Sequence, residues 1–125
     1  MARYEFGKGR GIIPIFVKIN DEVVVKMGLD TGATYTLIPW KTAKSLNLGA
    51  EKNEIKIRAM TAEGRCEVPL INLNSILVLD KKIENVKAVI HDLPENSHID
   101  GLLGLSFLNH VKLTIDFRNG WLEIE

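Results

Sequence analysis

The chain holds a single cysteine, Cys66, so an intramolecular disulfide is excluded and a reducing compartment, the cytoplasm, is the expected location. Neither sign of charge is in excess. Sixteen Lys and Arg balance sixteen Asp and Glu, so no net field favours nucleic acid or a membrane surface as partner. The apolar runs are short and interrupted, well below the roughly 20 residues that cross a bilayer, and the opening Met1-Ala2-Arg3-Tyr4-Glu5-Phe6 lacks the apolar stretch of a secretory leader. His91, His98 and His110 are spaced without the compact ligand pattern of a zinc site; they read as surface or helix-end residues, and no metal or other cofactor is expected. Internal repeats, low-complexity tracts and linkers are missing too. With 46% of 125 residues hydrophobic, the expectation is one domain over 1–125, with its core from about residue 11.

What the chain does have is two-residue alternation. Ile13, Ile15, Val17 and Ile19 alternate with Pro14, Phe16, Lys18 and Asn20, which predicts a strand, and Asn20-Asp21 predicts a turn into the apolar run Glu22 to Leu29. Tyr35 to Ile38 reads as a short strand. Pro39 suits the first position of a helix that turns Trp40, Ala43 and Leu46 or Leu48 inward and stops before Gly49. Ile55, Ile57 and Ala59 alternate toward Met60, and Val68 to Ile71 resumes the pattern beyond Thr61-Ala62-Glu63-Gly64, which makes a second hairpin. Leu73 to Leu79 and Ile83 to Ile90 are strand candidates around the charged turn Asp80-Lys81-Lys82, and His91 to Ile99, with Pro94, reads as a surface loop. A short helix from Gly104 or Leu105 to about Asn109 precedes a last hairpin, Val111 to Phe117 and Trp121 to Glu125 about Arg118-Asn119-Gly120. The sum is a single mostly-β domain.

One tetrapeptide declares a chemistry. Asp30-Thr31-Gly32-Ala33 follows the run Val23 to Leu29, so an acidic residue is carried out of a buried strand onto a tight turn with no cationic neighbour close in sequence. Such a carboxylate can activate water against a peptide bond, but only as one of a pair. Two carboxyl groups in contact cannot both ionise and so share a proton; the ionised member takes a proton from water while the protonated member supports the developing oxyanion. The chain contains a single Asp-Thr-Gly. Either a second chain supplies the partner, or the chain is not a peptidase.

Asp30-Thr31-Gly32-Ala33 behind an apolar strand, a hairpin tip at Ala62-Glu63-Gly64, and Ile99-Asp100-Gly101-Leu102-Leu103-Gly104 leading into a short helix resemble, in order and spacing, the three signatures of the retropepsins, the retroviral-type aspartic peptidases. The run Leu103 to Phe117 looks closer to bacterial retropepsin-like proteins and to the protease domain of the DNA-damage-inducible ubiquitin shuttles. The resemblance implies a closed, barrel-like acid-protease fold with one or two short helices, and a homodimer that hydrolyses peptide or protein substrates through one Asp30 from each subunit. It further implies that Asp30, Thr31 and Gly32 make the catalytic loop, with the Thr31 hydroxyl bracing the two loops across the dimer. Substrate would be held by Ala33, by Met60, Thr61, Ala62, Glu63 and Gly64 of a flap, and by Leu102 and Leu103. Gly104 would pack under the loop. Viral members follow Asp-Thr-Gly-Ala with a second Asp and the late Gly with an Arg that pairs with it. Here Thr34 and Leu105 stand at those positions, so dimer support must be built another way, with the hairpin from Val111 to Ile124 as the candidate.

Plainer readings stand beside these. Asp, Thr and Gly are ordinary turn residues. Asp100 lacks a following Thr-Gly and reads as a loop or helix-capping residue rather than a second carboxylate. Cys66 reads as a small half-buried residue, not a nucleophile, and Trp40 and Trp121 as core or interface aromatics. A non-catalytic dimeric peptide-binding or scaffold module would use the same fold, and a monomeric barrel using Asp30 for something else is a third reading.

Overall fold

The alternation in the sequence becomes a sheet that closes on itself. A computed structural model describes residues 2–9, 11–49, 55–61 and 64–125. In chain order its elements are β1 (Ala2–Glu5), β2 (Pro14–Ile19), β3 (Val23–Leu29), β4 (Thr36–Ile38), α1 (Trp40–Ser45), β5 (Ile55–Thr61), β6 (Gly64–Val78), β7 (Lys81–Ile90), β8 (Gly101–Leu103), α2 (Leu105–Leu108), β9 (Leu113–Asp116) and β10 (Trp121–Ile124). The fold is mostly β, as expected.

β2 and β3 form the first predicted hairpin, with Pro14 opposite Gly28 and Ile19 opposite Val23. Asn20 and Asp21 both take positive φ, 53° and 58°. They are the central residues of a turn closed by the Glu22 N–H on the Ile19 carbonyl at 3.0 Å, and Asn and Asp tolerate the left-handed region better than other residues with a Cβ. Six strands then run in the order β2-β3-β8-β4-β7-β6, and β2 pairs again with β6, Val17 opposite Val78 and Ile19 opposite Ile76. The ring is closed, which removes its open edges. Ile15, Val17, Ile19, Met27, Ile76 and Leu103 fill its interior without exposure above 1%.

β6 corrects one expectation. Val68 to Ile71 and Leu73 to Val78 are parts of one strand of 15 residues, and Leu79, expected to end the second, starts the turn with φ 54°. Its first half pairs with β5, its last residues with β2, and nearly its whole length beyond Leu70 with β7. The change of partner along a single strand leaves no break in the alternation. β5 pairs only with β6, so the β5–β6 hairpin stands out from the ring.

Two strands were not anticipated. β8 is three residues of Gly-Leu-Leu, too short to show a period. β1 joins β10 and β9 in a separate three-stranded sheet, order β1-β10-β9. There Arg3 sits opposite Glu123, forms an ion pair with it, and places its guanidinium 3.8 Å from the centroid of the Trp121 ring. Phe6, just past β1, is buried in the main core. The helix expected from Pro39 toward Gly49 is shorter. Pro39 is its N-cap, and Asn47 turns the chain with φ 56°. The N–H of Trp40 donates to Asp92 Oδ1 at 2.9 Å, a cap from a residue 52 positions away. Among the described residues, no helix is long and apolar enough to cross a membrane.

Candidate active site

β8 lies between β3 and β4. It runs parallel to β3, Met27 opposite Gly101 and Leu29 opposite Leu103, and antiparallel to β4, with Leu37 opposite Leu102. The chain leaving β3 therefore enters its turn beside β8, and the Asp30 N–H donates to the Leu103 carbonyl at 3.0 Å. The Ala33 N–H closes the turn on the Asp30 carbonyl at 3.2 Å, and the Gly32 N–H donates to Asp30 Oδ1 at 2.9 Å. Asp30 is half-buried, whereas Thr31 and Gly32 are exposed. Gly32 serves by the approach of its N–H. A Cβ there would lie 3.2 Å from Asp30 Oδ1, and its φ is not positive.

Below the loop two glycines permit backbone contact. A Cβ on Gly104 would come within 2.6 Å of the Tyr35 carbonyl oxygen and 2.7 Å of that of Ala33; on Gly101 it would come within 2.4 Å of the Leu37 carbonyl oxygen. α2 starts at this contact and uses its free N–H groups on the loop. Leu105 N–H donates to the Ala33 carbonyl at 2.7 Å, and Ser106 N–H to that of Thr34 at 3.0 Å. Gly104 thus lies directly against the backbone of Ala33 and Tyr35.

Asp30 opens onto a cavity of about 360 Å³. Of the residues expected to hold substrate, Ala33, Met60, Thr61 and Leu102 line it, together with Asp30 and Gly32. Leu103 does not. Strand alternation sends Leu102 toward the cavity and Leu103 into the barrel, where it is fully buried; only its carbonyl serves the site. Thr31 and Gly64 lie outside the cavity wall, and Ala62 and Glu63 lie outside the described residues. Asp30 is the one acid among the described lining residues. Asp100 is exposed and donates its N–H to the Lys26 carbonyl at 2.8 Å; α2 takes its N-cap from Gly104 instead.

Sequence reasoning missed the floor. Leu37, Val68 and Val89 form a small apolar cluster of their own, flanked by Tyr35, Ile57, Ala59 and Leu102. All of these line the cavity. They come from five strands, β4 to β8, and from the loop before β4, so no local pattern groups them. His91, read as a surface residue, is half-buried in the wall, with Nδ1 4.0 Å from Cys66 Sγ, which in turn stands 3.8 Å from Thr61 Oγ1. Cys66 is half-buried, in line with expectation.

A second cavity, about 550 Å³, shares the wall residue Leu102 with the first. Ile12, Pro14, Leu93 and Ile99 give it an apolar lining, with Lys26 and His98 among its polar members. The loop expected only to cover surface thus builds one of its sides. Gly28 lets the wall close, since a Cβ there would lie 2.5 Å from Ile99 Cδ1 and 2.6 Å from Ile12 Cγ2. Among the described residues no group of three His, Cys, Asp or Glu side chains could hold a metal ion.

A family model described as aspartyl protease matches residues 15–107. Among solved structures, the chain is similar to a retropepsin-like aspartic protease from Rickettsia conorii, with a TM-score of 0.73 and 26% identity over 100% of this chain and 99% of that one. No curated protein sequence matches.

Proposed function

The chain belongs to the aspartyl protease family and is a peptide hydrolase of retropepsin-like fold, and from this premise we propose that it works as a homodimeric endopeptidase whose water is activated by two Asp30 carboxylates, one from each chain. The observation that carries the reading is the solitude of Asp30. It is half-buried on a braced turn, at the mouth of a cavity whose described walls hold no other acid. A single carboxylate cannot serve as base and acid at once, whereas two copies across a two-fold axis can. Thr31 supports the same arrangement. It is exposed beside Asp30, and among the described residues its hydroxyl has no partner within the chain, as suits a group that reaches the second loop.

In the proposed cycle one Asp30 accepts a proton from the attacking water while its neutral counterpart donates a hydrogen bond to the carbonyl oxygen. The proton then passes to the leaving amine, and the dyad returns to its singly protonated state. Gly32 fixes the carboxylate through its N–H. The β5–β6 hairpin acts as the flap. It projects from the barrel, and its tip carries Met60 with 72% exposure beside the cavity. An extended substrate pinned beneath it forms strand-like main-chain bonds and drops side chains into pockets. The Leu37-Val68-Val89 floor suits an apolar side chain, and the cavity beyond Leu102 suits a neighbouring one. Residues 1–125 act as one domain per subunit, and the lone half-buried thiol suits a cytoplasmic location.

Asp30→Asn tests the reading. It should lower cleavage of a broad peptide library by on the order of 10³-fold while leaving the dimer and peptide binding intact. Equal turnover by the variant across an assay range of about pH 3 to 8, wide enough for a dyad that shares one proton, would remove the dyad from the mechanism.

A further inference from the structure

Thr36 opens β4 with no exposure at all, between the active-site loop and two apolar neighbours, Leu37 and Ile38. A hydroxyl costs free energy there unless it is bonded, and valine would fill the same volume without that cost. It is bonded twice: Thr36 Oγ1 accepts from the Gly104 N–H at 3.3 Å and from the Ser106 hydroxyl at 3.1 Å. Ser106 Oγ in turn accepts from the Thr36 N–H at 2.9 Å. Two hydroxyls thus tie the start of β4 to the first turn of α2.

The same turn of α2 holds the loop itself, through Leu105 N–H on Ala33 and Ser106 N–H on Thr34. The segment from Asp30 to Thr36 is therefore fastened at three places. β8 holds its head through Leu103, α2 its middle, and the hydroxyl pair its tail. Every one of these links is neutral, and Thr34 and Leu105 stand where viral members carry their ion pair.

We propose that Thr36 and Ser106 are positioning residues for the reaction, a neutral hydroxyl clamp that sets where the Asp30 loop stands and hence the separation of the two carboxylates. The proposal rests on the dyad reading above. A dyad works only while the carboxyl groups are held within a fraction of an ångström of their productive geometry. Their contact also splits the two apparent pKa values of the pair, so the width of the bell-shaped rate profile reports their separation. Loosening the clamp lets the loops drift, weakens the coupling and narrows the bell.

Three variants separate bonding from packing. Thr36→Val keeps the volume and loses the hydroxyl; Thr36→Ser keeps the hydroxyl and loses the methyl; Ser106→Ala removes the other half of the pair. With enzyme concentrations high enough to keep the dimer formed, Thr36→Val and Ser106→Ala should each lower kcat by about 10-fold with KM unchanged, and each should narrow the pH profile. Thr36→Ser should retain both the rate and the width. If Thr36→Val fails to fold, Ser106→Ala, altered at a half-buried helix position, decides alone. The clamp is overturned if Thr36→Val and Ser106→Ala keep the parental kcat and profile width, or if Thr36→Ser loses as much as Thr36→Val. Asp30→Asn run alongside distinguishes the two levels: an inactive Asp30→Asn with an unaffected Ser106→Ala sinks the clamp alone, whereas an active Asp30→Asn sinks the dyad on which it rests.

Discussion

At Gly104 a methyl group would meet two carbonyl oxygens, those of Tyr35 and Ala33, at 2.6 and 2.7 Å. Both belong to backbone pinned by α2, so neither can swing aside as a flexible side chain would. Gly104→Ala should destabilise the fold by about 1–3 kcal/mol, read as a lower Tm, and should depress kcat further than the loss of stability explains because the displaced atoms belong to the loop proposed above as catalytic. An unchanged rate and Tm would show that the loop yields. At Gly64, by contrast, an ideal Cβ meets none of the described residues within 4 Å, while the positive φ of 101° resists substitution. Asp30, Gly32 and Gly104 were legible because each sits in a tripeptide of fixed spacing. The division of labour between Leu102 and Leu103 was not, since β8 is too short to show which of two adjacent leucines faces the cavity.

Among the elements, α1 depends on a residue that its own sequence does not contain. Its N-cap is Pro39, without a capping side chain, and the first-turn N–H of Trp40 is taken by Asp92 from the loop after β7. Asp92→Ala should cost about 1 kcal/mol in chemical unfolding; a change near zero would mean that water serves the Trp40 N–H equally well. The β9–β10 turn carries its own electrostatics. The Asn119 side chain and backbone N–H bond the Asp116 carboxylate and hold its pKa below the usual carboxylate value, with smaller help from the Arg118 N–H and the charge of Arg3. Because the folded-state value is the lower one, the stabilisation is present above the unfolded pKa of about 3.9 and fades as pH falls through the folded value. Asn119→Ala should therefore move the Asp116 titration upward in an NMR pH series, and a stationary titration would refute the assigned cause. The hairpins were readable from alternation and turn residues; the α1 cap, the unbroken β6 and β8 were not, because each is defined by partners distant in the chain.

For the molecule as a whole, the unequal edges of its sheets matter. Closing β2 onto β6 buries the barrel strands' edges, while the three-stranded sheet β1-β10-β9 keeps two. The terminal hairpin named earlier as the candidate dimer support is part of that sheet, and Phe117 at its turn is 66% exposed. If the active unit is the homodimer, activity per chain should fall on dilution. Mixing equal amounts of parent and Asp30→Asn chains should, after exchange, make parent–parent pairs about a quarter of all dimers by random pairing, with about a quarter of the activity of parent alone at the same total chain concentration. Half of that activity would mean that each chain acts alone.

The sequence by itself determined the two-residue period of the strands and the placing of one carboxyl group on a Thr-Gly turn, which the proposed chemistry needs in two copies, because these depend on residue identity and spacing within short stretches. Tertiary structure alone decided that Leu37, Val68, Val89 and His91 share a wall with Asp30, that Leu103 serves by its carbonyl, and that Thr36 meets Ser106 across 70 positions of chain. Those facts follow from closure of the barrel. It sets β8 between β3 and β4 and so brings a loop from the first third of the chain onto a helix from the last, a contact that no local pattern of residues encodes.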